Sequence, residues 1–163
     1  MTTSADRHLA LIATLGLVAH PEGGYYSEVY RSPLAVKPAD GRESRSALTT
    51  IYFLLPQGQV SRWHRVLSDE VWHFYEGAPL DLWLTKDLSR IEHHRLGPVE
   101  PEQQPVAVVP AGWWQAARST GGYTLAGCTV GPGFDFSDFA LAADAPAVAA
   151  ELKKLHPSIA GLL

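Results

Sequence analysis

Cysteine is nearly absent from this 163-residue chain: Cys128 stands alone. A single cysteine excludes an intrachain disulfide framework and suits a reducing cytoplasm, which is the compartment expected here. Cys128 sits in the apolar run TLAGCTV, where a buried thiol that packs is the expectation rather than a nucleophile. No run of about 18 apolar residues occurs, and the N-terminus lacks a basic segment leading into an apolar stretch with a cleavage site. The sequence therefore predicts neither a membrane partner nor targeting. A basic block is missing too: 13 Lys and Arg stand against 17 Asp and Glu, a formal net charge of -4. That balance argues against a nucleic-acid partner.

What is present reads as one domain spanning residues 1–163. The apolar share of 46% and the charged share of 18% are ordinary for a globular chain long enough to bury a core. Residues 5–17 place Leu9, Ile12 and Ala13 on one helical face, and Gly16 and Pro21 end that helix. A second helix is expected over about 145–155, capped by Asp144 and stopped by Pro157. Between them, about ten short runs rich in β-branched and aromatic residues alternate with Gly, Pro and Asp turns. That pattern predicts an all-β barrel or sandwich over about 23–141. Residues 33–46, with two prolines and Asp40-Gly41, read as a mobile loop able to act as a lid.

The stretch GQVSRWHRVLSDEVWHFYEG, Gly58 to Gly77, carries the most chemistry. Strand alternation puts Arg62, His64 and Val66 on one face and Glu70, Trp72 and Phe74 on another. If the faces coincide, an imidazole and a carboxylate meet among apolar neighbours. Such a pair serves either as a base with its orienting partner or as a purely structural hydrogen bond. In the earlier run HPEGGYYSEVYRS, alternation places Tyr26, Glu28 and Tyr30 on one face, with Tyr25, Val29 and Arg31 on the other. His93 and His94 are neighbours on a strand and point opposite ways, which suits a surface strand.

Gly58, His64, Glu70 and Gly77 are spaced as in the first motif of the cupins, and Pro110-Ala111-Gly112-Trp113-Trp114-Gln115 resembles the second. Val66 stands where the family normally has a second His, and Gln115 where it has a third metal-binding His. HPEGGYYSEVYRS, SRWHRVLSDEVWHFYEG and CTVGPGFDFSDF resemble the DUF985, or cupin-5, subfamily. The resemblance implies a cupin double-stranded β-helix, a jelly-roll barrel with flanking N- and C-terminal helices, and a homodimer formed through the early strand.

It also frames the function. A metal would have to use His64, Glu70 and Gln115, a weak donor set, so no cofactor is favoured and a divalent metal is the lesser expectation. Without one, His64 as base, Glu70 as its partner and Tyr123 as acid would suit isomerisation or epimerisation of a carbohydrate-like or other polar ring substrate. Cupin sugar-nucleotide epimerases work in that general manner. Arg62, Trp72, Phe74, Gln115, Tyr52, Tyr26 and Arg31 are the candidate substrate contacts, with Arg62 or Arg31 holding an anionic group. A non-catalytic small-molecule binding protein fits the same residues. A metal-dependent oxygenase or isomerase with a depleted site is the third reading.

Overall fold

A computed structural model of the chain describes residues 4–163. In chain order its elements are helix α1 (Ser4–Leu15) and strands β1 (Val18–Ala19), β2 (Tyr25–Arg31), β3 (Ala35–Val36), β4 (Arg45–Ser46), β5 (Thr49–Pro56) and β6 (Val60–Val66). Strands β7 (Asp69–Gly77), β8 (Leu80–Thr85), β9 (Glu92–Leu96), β10 (Val106–Val109), β11 (Trp114–Ser119), β12 (Tyr123–Gly131) and β13 (Phe139–Leu141) follow, and helix α2 (Pro146–Leu155) comes near the end. The strands form a six-stranded sheet in the order β1-β2-β5-β12-β7-β10 and a five-stranded sheet in the order β13-β6-β11-β8-β9. Neighbouring strands in both are antiparallel. The jelly-roll expectation is met.

Three apolar clusters hold the layers. Phe53, Trp72, Leu82, Leu84 and Val109 come from both sheets and fill the space between them at one end. Trp63, Trp114 and Ala116 lie on the outer face of the five-stranded sheet, where Leu152 of α2 and Leu162 cover them. Leu54, Tyr123 and Leu125, on the outer face of the six-stranded sheet, meet Leu11 of α1 and Leu17. Each fully buried Leu contributes on the order of 2 kcal/mol of transfer free energy. The helices are therefore lids on two outer faces, and the opposite end of the interior stays open for a cavity.

Helix α1 stops at Leu15 because Gly16 takes φ +62°, and the Leu17 amide bonds back to the Ile12 carbonyl at 2.9 Å. Asp144 does not cap α2. It belongs to a 3-10 turn over Ala142–Asp144, and Ala145 is the cap residue. The 33–46 segment differs most from expectation. It carries the β3–β4 ribbon, and Asp138 fastens it through Arg42 Nη1 at 2.8 Å and Arg45 Nη2 at 2.9 Å. With Asp138 buried, this paired cluster holds the segment against the C-terminal part of the barrel.

Candidate functional site

Two β-bulges decide which side chains reach the interior. Along β6, Gln115 pairs with His64 but Ala117 pairs with Ser61, so Arg62 and Trp63 together oppose one residue of β11. The extra residue shifts the alternation. Ser61 and His64 both meet Glu22, while Trp63 packs outward. Arg62 is held at the chain's edge, its Nη2 donating to the Pro21 carbonyl at 2.6 Å. Along β2 the register shifts between Glu28 and Tyr30. That shift brings Arg31 to the same cavity as Tyr26 and Glu28. Strict alternation places both arginines wrongly.

Glu22 arrives from the turn before β2. Gly23 has φ +109° and Gly24 φ +70°, and a Cβ on Gly23 would collide with the Val60 carbonyl oxygen. Only glycine lets the backbone lie this close to β6. Arg62 N–H donates to the Glu22 carbonyl at 2.8 Å, which fixes the turn.

The result is a cavity of about 270 Å³. Its walls include Ile51, Phe53, Val66, Val130 and Phe134, and its floor holds Glu22, His64 and Glu70. His64 is 2% exposed. Its Nδ1 lies 2.7 Å from the Arg62 carbonyl oxygen. A carbonyl only accepts, so Nδ1 carries the hydrogen and Nε2 of the neutral ring presents a lone pair. That lone pair faces Glu22 Oε2 at 3.2 Å. On the other side His20 Nδ1 accepts the Glu22 backbone N–H at 3.2 Å and lies 3.4 Å from the same Oε2. Ser61 Oγ donates to Glu22 Oε1 at 2.7 Å.

Glu22 Oε2 thus stands between two imidazole lone pairs. A proton has to be shared there, and its resting place follows from burial. Burial pushes the Glu22 carboxyl up, with His20, Ser61 and Arg62 opposing, and pushes His64 down, with Glu70 opposing. His20 moves down for the same reason. Burial thus favours a protonated Glu22 donating to neutral His64. Glu70 is also raised by burial, with His64 opposing. It accepts from Gln115 Nε2 at 2.5 Å, and Gln115 Oε1 accepts from Trp72 Nε1 at 2.9 Å. Burial drives the Cys128 thiol well up, and Glu70 and Glu22 act in the same direction, so it lines the cavity as a thiol and not as a nucleophile.

Of the expected residues, His64, Glu70, Tyr26 and Arg31 line this cavity. His64's hydrogen-bonding carboxyl is Glu22 rather than Glu70. Gln115 and Trp72 stand behind Glu70, and Phe74 packs in the core between the sheets. Tyr123 and Tyr52 belong to the opposite face of the six-stranded sheet, under α1. The Tyr123 hydroxyl donates to Glu76 at 2.7 Å, and Arg7 holds the same carboxylate. Tyr123 therefore lies outside the cavity, because its strand turns it toward the helix. His20, Glu22 and Ser61 were missed as site residues. The buried acid in a Pro-Glu-Gly-Gly turn was the available signal.

The cupin metal positions do not make a metal site here. Val66 offers no donor, and Gln115 directs an N–H, not a lone pair, toward Glu70. Among the described residues, no group of three or more His, Cys, Asp or Glu side chains could hold a metal ion.

Residues 9–142 match the model of the cupin superfamily family DUF985. The chain belongs to the DUF985 cupins. This cupin is 35% identical to a hypothetical protein from Leishmania major, each chain covered to 94%, with a TM-score of 0.80. A protein from Shewanella oneidensis is 32% identical, covering 94% of this chain and 92% of that one, with a TM-score of 0.78. Oxalate decarboxylase from Bacillus subtilis shares the fold alone, at 14% identity and a TM-score of 0.59 over 89% of this chain and 36% of that one. No curated protein matches the cupin. Among its described residues, no helix is long and apolar enough to cross a membrane.

Proposed function

We propose that this cupin binds a small molecule in the cavity above Glu22, His64 and Glu70. One observation carries the reading: three ionisable side chains, each more than nine-tenths buried, converge on a cavity whose walls include Ile51, Phe53, Val66, Val130 and Phe134. Burying such groups costs several kcal/mol that apolar packing would avoid, so their presence points to a ligand. His64 is held at both nitrogens and closed to bulk solvent, which suits binding.

The test is mass spectrometry of small molecules released by heat from freshly purified protein. The wild type is expected to release a defined compound and Val130→Trp, which fills the cavity, none. An empty wild type, or equal release from both, contradicts the reading.

The shared proton favours a second reading, acid–base isomerisation of a carbohydrate-like or other polar ring substrate. Once a ligand displaces the Glu22 proton, His64 Nε2 would take a proton next to a carbonyl, and the Glu70 carboxyl, pushed up by burial, would fill the acid role for which Tyr123 is too remote. Incubating the protein with ring carbonyl compounds in D2O tests it. Deuterium should enter beside the carbonyl with wild type and not with His64→Ala, and no incorporation in any compound counts against turnover.

A homodimer through β1 and β2 is part of the same proposal. The exposed Val18, Val29 and Tyr30 support it, and a monomer in sedimentation velocity would contradict it.

A further inference from the structure

We infer that the cavity takes an organic cation, a protonated amine carried on a ring-sized body. This names the ligand class of the proposed binding site and rests on that reading. Arg31 is the only Lys or Arg among the described residues that line the cavity, against Glu22, Glu28, Glu70 and Asp135. Its guanidinium is already engaged. Nε and Nη2 donate to the Glu28 carboxylate at 3.0 and 2.8 Å, and both Nη atoms donate to the Phe134 carbonyl at 3.2 Å. No uncompensated positive charge is left to hold a phosphate or carboxylate. The expectation that Arg31 or Arg62 holds an anionic group is therefore abandoned.

The floor points the same way by independent geometry. His64 Nε2 and Glu22 Oε2 face each other at 3.2 Å, acceptor against acceptor, and only a proton from somewhere makes that contact favourable. A ligand ammonium brings three donors to this place. It would donate to Glu22 Oε2, His64 Nε2 and a Glu70 oxygen and release the shared proton to solvent. Aromatic rings line the same cavity. Phe134 and Phe136 meet edge to face at 5.0 Å, and His20 packs edge-on to Tyr26 at 4.7 Å. Ring faces attract a desolvated cation by about 2 kcal/mol, which is more than tenfold in affinity. Aromatic walls over acidic acceptors select against anions on both counts.

Titration calorimetry of the full chain with benzylamine, benzyl alcohol and benzoate tests the charge preference on one ring. Benzylamine is expected to bind about tenfold more tightly than benzyl alcohol, with net proton release seen as a buffer-dependent heat, and benzoate is expected not to bind. Glu70→Gln should remove most of the amine preference. Phe136→Leu, at an exposed position (52%) where folding is safe, should weaken benzylamine severalfold and benzyl alcohol less. Equal or tighter binding of the alcohol or of benzoate overturns the cation assignment and leaves small-molecule binding standing. Binding of none of the three also overturns the assignment, and the heat-release experiment separately decides whether the cavity is a binding site at all. Stabilisation by Zn²⁺ or Mn²⁺ without any response to benzylamine overturns it in favour of a metal. None of these probes carries a carbonyl-activated hydrogen, so the outcome is independent of turnover.

Discussion

Replacing Glu22 by Gln should leave the protein no less stable than before, an unusual expectation for a buried ionisable residue. It follows from the hydrogen positions. Ser61 needs an acceptor at Oε1, and His64 Nε2 needs a donor at the Oε2 position. A protonated carboxyl meets both needs, and so does a carboxamide, whose N–H takes the place of the shared proton. At about pH 4.5 and below, where the unfolded carboxyl is protonated too, the change in stability should therefore stay within about 1 kcal/mol. An ionised Glu22 paired with a His64 imidazolium would behave otherwise, because removing one member of a buried ion pair costs about 3–5 kcal/mol.

The pH dependence sharpens the test. The folded-state value of Glu22 is raised above its ordinary 4.5. Its protonated form is thus favoured by folding, and that contribution is complete below pH 4.5 and is lost as pH rises through the folded value. The groups packed around it, His20, His64, Glu70 and Arg62, remain in the variant. Relative to the wild type, Glu22→Gln should then gain stability as pH rises above about 4.5. Urea denaturation of both proteins from pH 4.5 to 8.5 measures this. A loss of about 3 kcal/mol or more at pH 7, or a relative loss with rising pH, refutes the protonated carboxyl.

Four further outcomes follow. Gln115→Leu leaves the buried Trp72 N–H and Glu70 without their partner, and should cost about 2–4 kcal/mol in urea denaturation; a cost below about 0.5 kcal/mol would show that the bridge is not structural. Asp138→Asn should loosen the β3–β4 ribbon, raising amide exchange at Val36 and Arg45 while the β7–β12 core stays protected. Asp138 is held below its ordinary value, chiefly by Arg45, so the clamp's contribution is present above pH 3.8 and is lost as pH falls. Tyr123→Phe should cost about 1 kcal/mol and leave benzylamine affinity unchanged, since its partner Glu76 lies outside the cavity. Cys128 should resist Ellman's reagent in the native protein at pH 8 and react fully in denaturant.

The barrel could be read from the sequence because its signals are local. Short β-rich runs between turns, and helical patterns at both ends, need no long-range information. His64 and Glu70 line one cavity as their motif spacing leads one to expect, because that spacing survives the fold. The rest of the site depends on features with no local signature. The bulge at Arg62–Trp63 exchanges Arg62 for Ser61 on the inner face, and the shift at Val29 turns Arg31 inward. Alternation counts residues and cannot see either. Glu22 comes from a turn that reads as surface loop until the close approach of Gly23 to Val60 shows it passing into the interior. Tyr123 was placed in the site by chemistry alone, and its face of β12 belongs to α1.

The His64 ring nitrogens hold the answer to the main question. Long-range proton–nitrogen correlation spectra of ¹⁵N-histidine-labelled protein at pH 7 distinguish a neutral imidazole from an imidazolium directly. A protonated Nδ1 with a lone pair on Nε2, and an Nε2 resonance that moves when benzylamine is added, are the expected results. Two protonated nitrogens, or an Nε2 resonance blind to benzylamine, would contradict the cavity floor described above.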